Sequence, residues 1–88
     1  MIFIGLNKAR RKLDKGMIAK VNKLMQAAAK DGVKVLASYW TLGRYDAVYV
    51  YEAPDEKAMM KAQLRTRDLL VTETLSAVPR DEGIKLVE

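Results

Sequence analysis

YWTLGRYDAVYVYEAPD, residues 39–55, holds five of the six aromatic residues of an 88-residue chain. The residues leading into it, VKVLASYWT, are β-branched and aromatic and form a strand. LGR is a tight turn, and YDAVYVYEA is the next strand, stopped by Pro54. An even-numbered loop with Gly43-Arg44 at its tip gives glycine the positive φ that such hairpins need. Leu42 then opposes Tyr45, Trp40 opposes Ala47, Ser38 opposes Tyr49, and Leu36 opposes Tyr51. Cross-strand partners share a face. Trp40, Tyr45, Tyr49 and Tyr51 therefore crowd one side, and Val35, Ala37, Tyr39, Val48 and Val50 take the other. A loop of three would shift this parity. Small aliphatic residues suit packing beneath helices, so the aromatics are expected on the open face. Left bare they would exceed the apolar patch a monomer ordinarily shows. A second copy of the chain or a ligand would cover them, and charging Tyr49 should weaken association.

Upstream, MIFIGL is a short apolar run and reads as a first, central strand, with Asn7 starting a loop. Asp14 is an N-cap for KGMIAKVNKLMQAAAK, where Met17, Val21, Leu24 and Ala28 recur on one helical stripe. Gly32 is a left-handed cap residue ending that helix. Downstream, Asp55 caps EKAMMKAQLR, whose apolar side is Ala58, Met59 and Ala62. TRD is a turn. LLVTETLSAV alternates like a half-buried strand and ends at Pro79; RDEGIKLVE is a tail with no assigned form. The order β-α-β-β-α-β predicts an α+β, ferredoxin-like fold. Residues 1–88 would make one such domain, a four-stranded antiparallel sheet with two helices on one face.

A chain this short buries only about 60% of its unfolded surface and needs a staple. With no cysteine and no histidine, disulfides, thiolate or imidazole metal sites and the usual catalytic triads are excluded. Oligomerisation remains. No metal or cofactor is expected. No stretch approaches the ~20 apolar residues of a membrane span, and the first charges follow the apolar run instead of preceding it as in a signal peptide. A cytoplasmic protein is the expectation. The net charge is +5, and five of the eight residues in 8–15 are basic. No nucleic-acid motif accompanies that run, so it reads as a solvated loop and nucleic acid is not an expected partner.

At YWTLGRYDAV, followed by EAPD and VTETLSAVP, the chain resembles the GYD-domain family. The family's triplet stands as Gly43, Tyr45 and Asp46, with Arg44 between the first two. The resemblance runs from about Met1 to Pro79. It implies a ferredoxin-like subunit of the dimeric α/β-barrel kind, and it carries no established activity. Gly83 departs from the pattern and weakens any continuing C-terminal helix. More distantly, the hairpin and the threonines at 72 and 74 resemble the effector-binding domain of leucine-responsive regulators. That resemblance implies small-molecule binding at a subunit interface.

The residues singled out as ligand-binding are Trp40, Arg44, Tyr45, Asp46, Tyr49 and Glu73. Gly43 and Asp46 also fit plain turn chemistry, with Asp46 accepting from nearby amides. Glu73 shares its parity with Val71, Leu75 and Ala77. A carboxylate on an apolar face needs a partner, or exposure near the strand end. No catalytic residue is assigned. The expected function is a small homo-oligomeric module, joined through its open sheet face, that binds a small molecule or simply assembles. The alternative is a cofactor-independent monooxygenase- or isomerase-like enzyme of the dimeric α/β-barrel type, using Asn7, Tyr39, Trp40 and Glu73.

Overall fold

The computed structural model describes residues 1–87. The elements run β1 (Ile2–Ala9), α1 (Lys15–Ala29), β2 (Lys34–Trp40), β3 (Ala47–Glu52), α2 (Glu56–Thr66), β4 (Leu70–Ala77) and α3 (Arg80–Ile84). The strands form one antiparallel sheet in the order β2-β3-β1-β4. Phe3 and Tyr51 of the sheet pack against Ala28 of α1 and against Met59 and Ala62 of α2, so both helices cover the same face. This is the ferredoxin-like α+β arrangement, with the apolar β1 central as expected. No helix among the described residues is long and apolar enough to cross a membrane.

The helix ends follow the residues read as caps. Asp14 Oδ1 accepts the Met17 N–H at 2.8 Å, and Asp55 Oδ1 accepts the Ala58 N–H at 2.8 Å. Each such cap contributes about 1 kcal/mol by satisfying an amide the helix leaves free. At the other end of α1, the Val33 N–H donates to Ala28 O and the Gly32 N–H to Ala29 O. These are the two bonds of a Schellman motif, and Ala28 and Val33 also meet in the core. Gly32 has φ +88°, and a Cβ there would stand 3.0 Å from Pro54 Cγ, so glycine is required twice over.

Within the strands the expected parity holds, but the aromatic face is the reverse of the one expected. Tyr45, expected beside Trp40 and Tyr49, lies on the opposite, open side because the turn is irregular. Trp40 pairs with Ala47, Ser38 with Tyr49 and Tyr39 with Val48. Six residues, 41–46, lie between the strands. Tyr51 is 6% exposed in the core beneath α1 and α2. Tyr49 packs on the same cluster and stacks on Tyr51 with ring centroids 5.6 Å apart. Trp40, in register with them, also lies on the helix side, at the edge. The physical reason is volume. The helices bring alanines (Ala28, Ala58, Ala62) to this face, so the sheet supplies the bulk. Gly5 makes room in turn: a Cβ there would meet Tyr51 Cε2 at 3.0 Å. The expected effect of charging Tyr49 is corrected accordingly, because it would strike the core and not an interface.

Three local expectations also change. Asn7 lies within β1 and is 3% exposed; it does not start a loop. A bulge at Leu36 makes Val35, not Leu36, the partner of Tyr51. The tail contains α3, which includes Gly83 and ends one residue later, in keeping with glycine's weak helix propensity.

The face left open carries Ile2, Ile4 and Leu6 of β1, Val48 and Val50 of β3, and Val71 and Leu75 of β4. Among the described residues, no helix packs over these side chains in either core cluster.

Candidate functional site

The six singled-out residues separate onto the two sides of the sheet. Trp40, Asp46 and Tyr49 line a pocket of about 50 Å³ between α1 and the sheet, closed by Ile18 and Val21 with Asn7 at its floor. One water needs ~10–15 Å³ of such space, so the pocket fits a group of only a few heavy atoms. Arg44, Tyr45 and Glu73 line a shallow cleft on the open side, with Leu6, Lys8 and Val71.

Asp46 turns inward. Its Oδ2 accepts the Ala9 N–H at 2.8 Å, its own N–H donates to Asn7 O at 2.8 Å, and its carbonyl accepts from Thr41 N at 3.0 Å. Turn chemistry was the expected role, but the amide it serves belongs to β1 and not to the turn itself. Tyr45 turns the other way and reaches across β1, where its hydroxyl donates to Glu73 Oε2 of β4. That bond is the main reason the Tyr45 hydroxyl is held above its ordinary pKa; slight burial and the negative charge of Glu73 add to it, and Arg44 opposes it. The Arg44 guanidinium lies 5.9 Å from the Tyr45 ring centroid. Gly43 has φ +94° and open space where a Cβ would stand, so its demand is purely conformational. Glu73 is thus exposed and partnered, as a carboxylate in register with Leu75 must be.

Glycine, tyrosine and aspartate together form a clasp from the β2–β3 turn over the end of β1 to β4. The GYD-domain family model matches residues 6–87 of this chain. The chain belongs to the GYD-domain family. A relative from Thermus thermophilus, named glutamine synthetase and cystathionine beta-lyase binding protein, is 38% identical over 63 residues. That stretch covers 68% of this GYD-domain chain and 66% of the relative, just under two thirds of its length.

A polar layer beneath α2 was not assembled from the sequence. The Thr74 hydroxyl donates to Gln63 Oε1 at 2.6 Å, Gln63 Nε2 donates to Thr72 O at 3.3 Å, and the Thr72 hydroxyl donates to Asn7 Oδ1 at 2.7 Å. The Tyr51 hydroxyl is pushed well above its ordinary pKa by burial first, then by Tyr49, while a hydrogen bond with Asn7 opposes the shift. The signal was present: Thr72 and Thr74 have the parity opposite to Glu73, which places them under the helices. What the sequence lacked was the register bringing Gln63 above them.

The residues of the alternative, enzymatic arrangement do not converge. Asn7 and Trp40 face the helix side, while Tyr39, paired with Val48, and Glu73, paired with Leu6, face the open side.

Proposed function

We propose that this GYD-domain protein is a non-catalytic cytoplasmic binding module that pairs with a second copy across its open sheet face and docks on other proteins. The observation that carries the pairing is the aliphatic surface of Ile2, Ile4, Leu6, Val48, Val50 and Leu75, which belongs to neither helix-covered core cluster among the described residues. Flat, β-branched sheet faces bury well against one another, and closing two of them gives the dimeric α/β-barrel form. The docking on other proteins is supported by the name of the Thermus relative. Native mass spectrometry tests the pairing: a dimer, or a multiple of one, is expected for the wild type, and monomer for Val50→Asp. A monomeric wild type overturns it. In a pull-down, binding to purified glutamine synthetase or cystathionine beta-lyase is expected. Failure with both removes the relative's partners from the reading.

A second reading places a small ligand in the pocket under Trp40. It is favoured by a buried amide, Asn7, beneath a mostly apolar lining whose other polar members are Asn22 and Asp46. The resemblance to effector-binding domains implies small-molecule binding too, but at a subunit interface and not in a pocket within one subunit. A ligand in the pocket would be small and mostly apolar with one hydrogen-bonding group. Retained mass on the native dimer, lost in Asn7→Leu together with a change in Trp40 fluorescence, is the expected result. A native dimer with no retained mass removes this reading.

A further inference from the structure

We propose that the basic end of the molecule, around the β1–α1 loop and the outer side of α1, is the surface that receives an acidic stretch of a partner protein. Residues 10–23 carry six of the chain's 16 basic side chains and one of its 11 acidic ones. The remainder has ten basic against ten acidic side chains, so the whole of the +5 net charge comes from this one segment. The fold keeps it together. Arg10 Nε donates to Arg67 O at 2.8 Å and the Arg10 N–H to Leu69 O at 2.9 Å, which pins the loop to the start of β4. Arg11 and Lys12 of that loop and Lys20 of α1 then rim a cleft of about 350 Å³, which Asp14 and Gly16 also line.

Among the described residues no carboxylate forms an ion pair with these charges. The ion pairs among the described residues join Lys61 and Arg65 of α2 to Asp31, just past the C-terminal end of α1. The single acid, Asp14, is committed to capping Met17. Like charges gathered this closely raise one another's energy, and an anionic partner recovers it on docking. The cleft floor is Met17 and Leu69, so charge surrounds an apolar base, as at a protein interface. No aromatic ring lines it to stack a base, which disfavours single-stranded nucleic acid. The cleft lies in the helix layer, so pairing across the opposite sheet face leaves it accessible.

This inference rests on the partner-docking reading above and deepens it. The probe is a short fluorescein-labelled peptide alternating glutamate and leucine, followed by anisotropy. Wild-type protein is expected to bind it. Arg11→Ser/Lys12→Ser/Lys20→Ser should weaken binding about tenfold or more, and raised salt should do the same. Lys57→Ser/Lys85→Ser, removing two charges elsewhere, should leave it intact. No binding by the wild type, equal loss in both variants, or tighter binding of an RNA oligonucleotide of matched charge would each overturn the proposal. The dimer is scored separately. The triple variant should keep the wild-type mass, and a Val50→Asp monomer should keep its hold on the peptide. Failure of the peptide with enzyme binding retained sinks this surface alone.

Discussion

Tyr51 and Val50 are neighbours on β3 and meet different surroundings. Tyr51 is 6% exposed, stacked on Tyr49 and covered by Ala28, Met59 and Ala62. Val50 points to the side with no second layer, among Ile4, Ala37 and Leu75. The covered face pairs large rings with small helical residues and carries a hydrogen-bonded polar layer. The open face is aliphatic along β1 and β3, with Tyr39 on β2 and the polar group of Lys8, Tyr45 and Glu73 toward one end. A face built for a particular cover has uneven relief. A face of even height suits another surface like itself.

The sharpest attack on this contrast is Tyr51→Ala, expected to cost about 3–5 kcal/mol in urea unfolding because it leaves a cavity beneath both helices. A loss comparable to an ordinary surface change would mean the rings are not the core. Gly5→Ala comes next. Its methyl would press on Tyr51 Cε2 at 3.0 Å, and overpacking of this kind costs about 1–3 kcal/mol. Val50→Asp, on the adjacent residue, should act on association and leave the monomer folded. If it unfolded the protein without passing through a folded monomer, the two faces would not be independent.

A smaller effect is expected in alkali. Burial holds the Tyr51 proton in the folded protein, whereas the unfolded chain releases it near the ordinary tyrosine value of about 10. The unfolded state then binds fewer protons, so stability falls as pH climbs above about 10. Urea midpoints measured across that range should fall less steeply in Tyr51→Phe than in the wild type. The smallest effect belongs to Tyr45→Phe. Its partner is exposed and the bond lies outside the core, so the urea midpoint should stay where it is, and a large shift would make the clasp a stability element.

The element order as far as β4, both N-caps, the glycine cap at 32 and the pairing of Trp40 with Ala47 and Ser38 with Tyr49 were all legible in the sequence, because each is set by residues close together in the chain. The side on which the helices lie was not. Parity says which residues share a face and is silent on what covers it. Aliphatic size suggested the wrong side, since the deciding volumes belong to Ala28, Ala58 and Ala62, far away in sequence. Gly5 in a strand was the overlooked clue, as glycine there marks a close approach by another group. Of the six site residues, the sequence placed all near the hairpin or the last strand. Parity set Tyr45 beside Trp40 and Tyr49, whereas the irregular turn puts Asp46 there and sends Tyr45 to the other side. The sequence also could not show that Asn7 underlies the pocket, which depends on β1 continuing to Ala9.

The bulge at Leu36 has a consequence for growth. β2 and β4 are the sheet's two margins, and an extending ribbon needs both to be straight. β4 is regular over eight residues, while β2 is interrupted near its start, between Val35 and Ala37. A bulged margin twists and offers a broken row of donors and acceptors. With one usable margin, side-by-side joining can link β4 to another β4 and then has nowhere to continue. The misplaced residue at Leu36 therefore makes the molecule a poor building block for fibres, whichever way its copies meet.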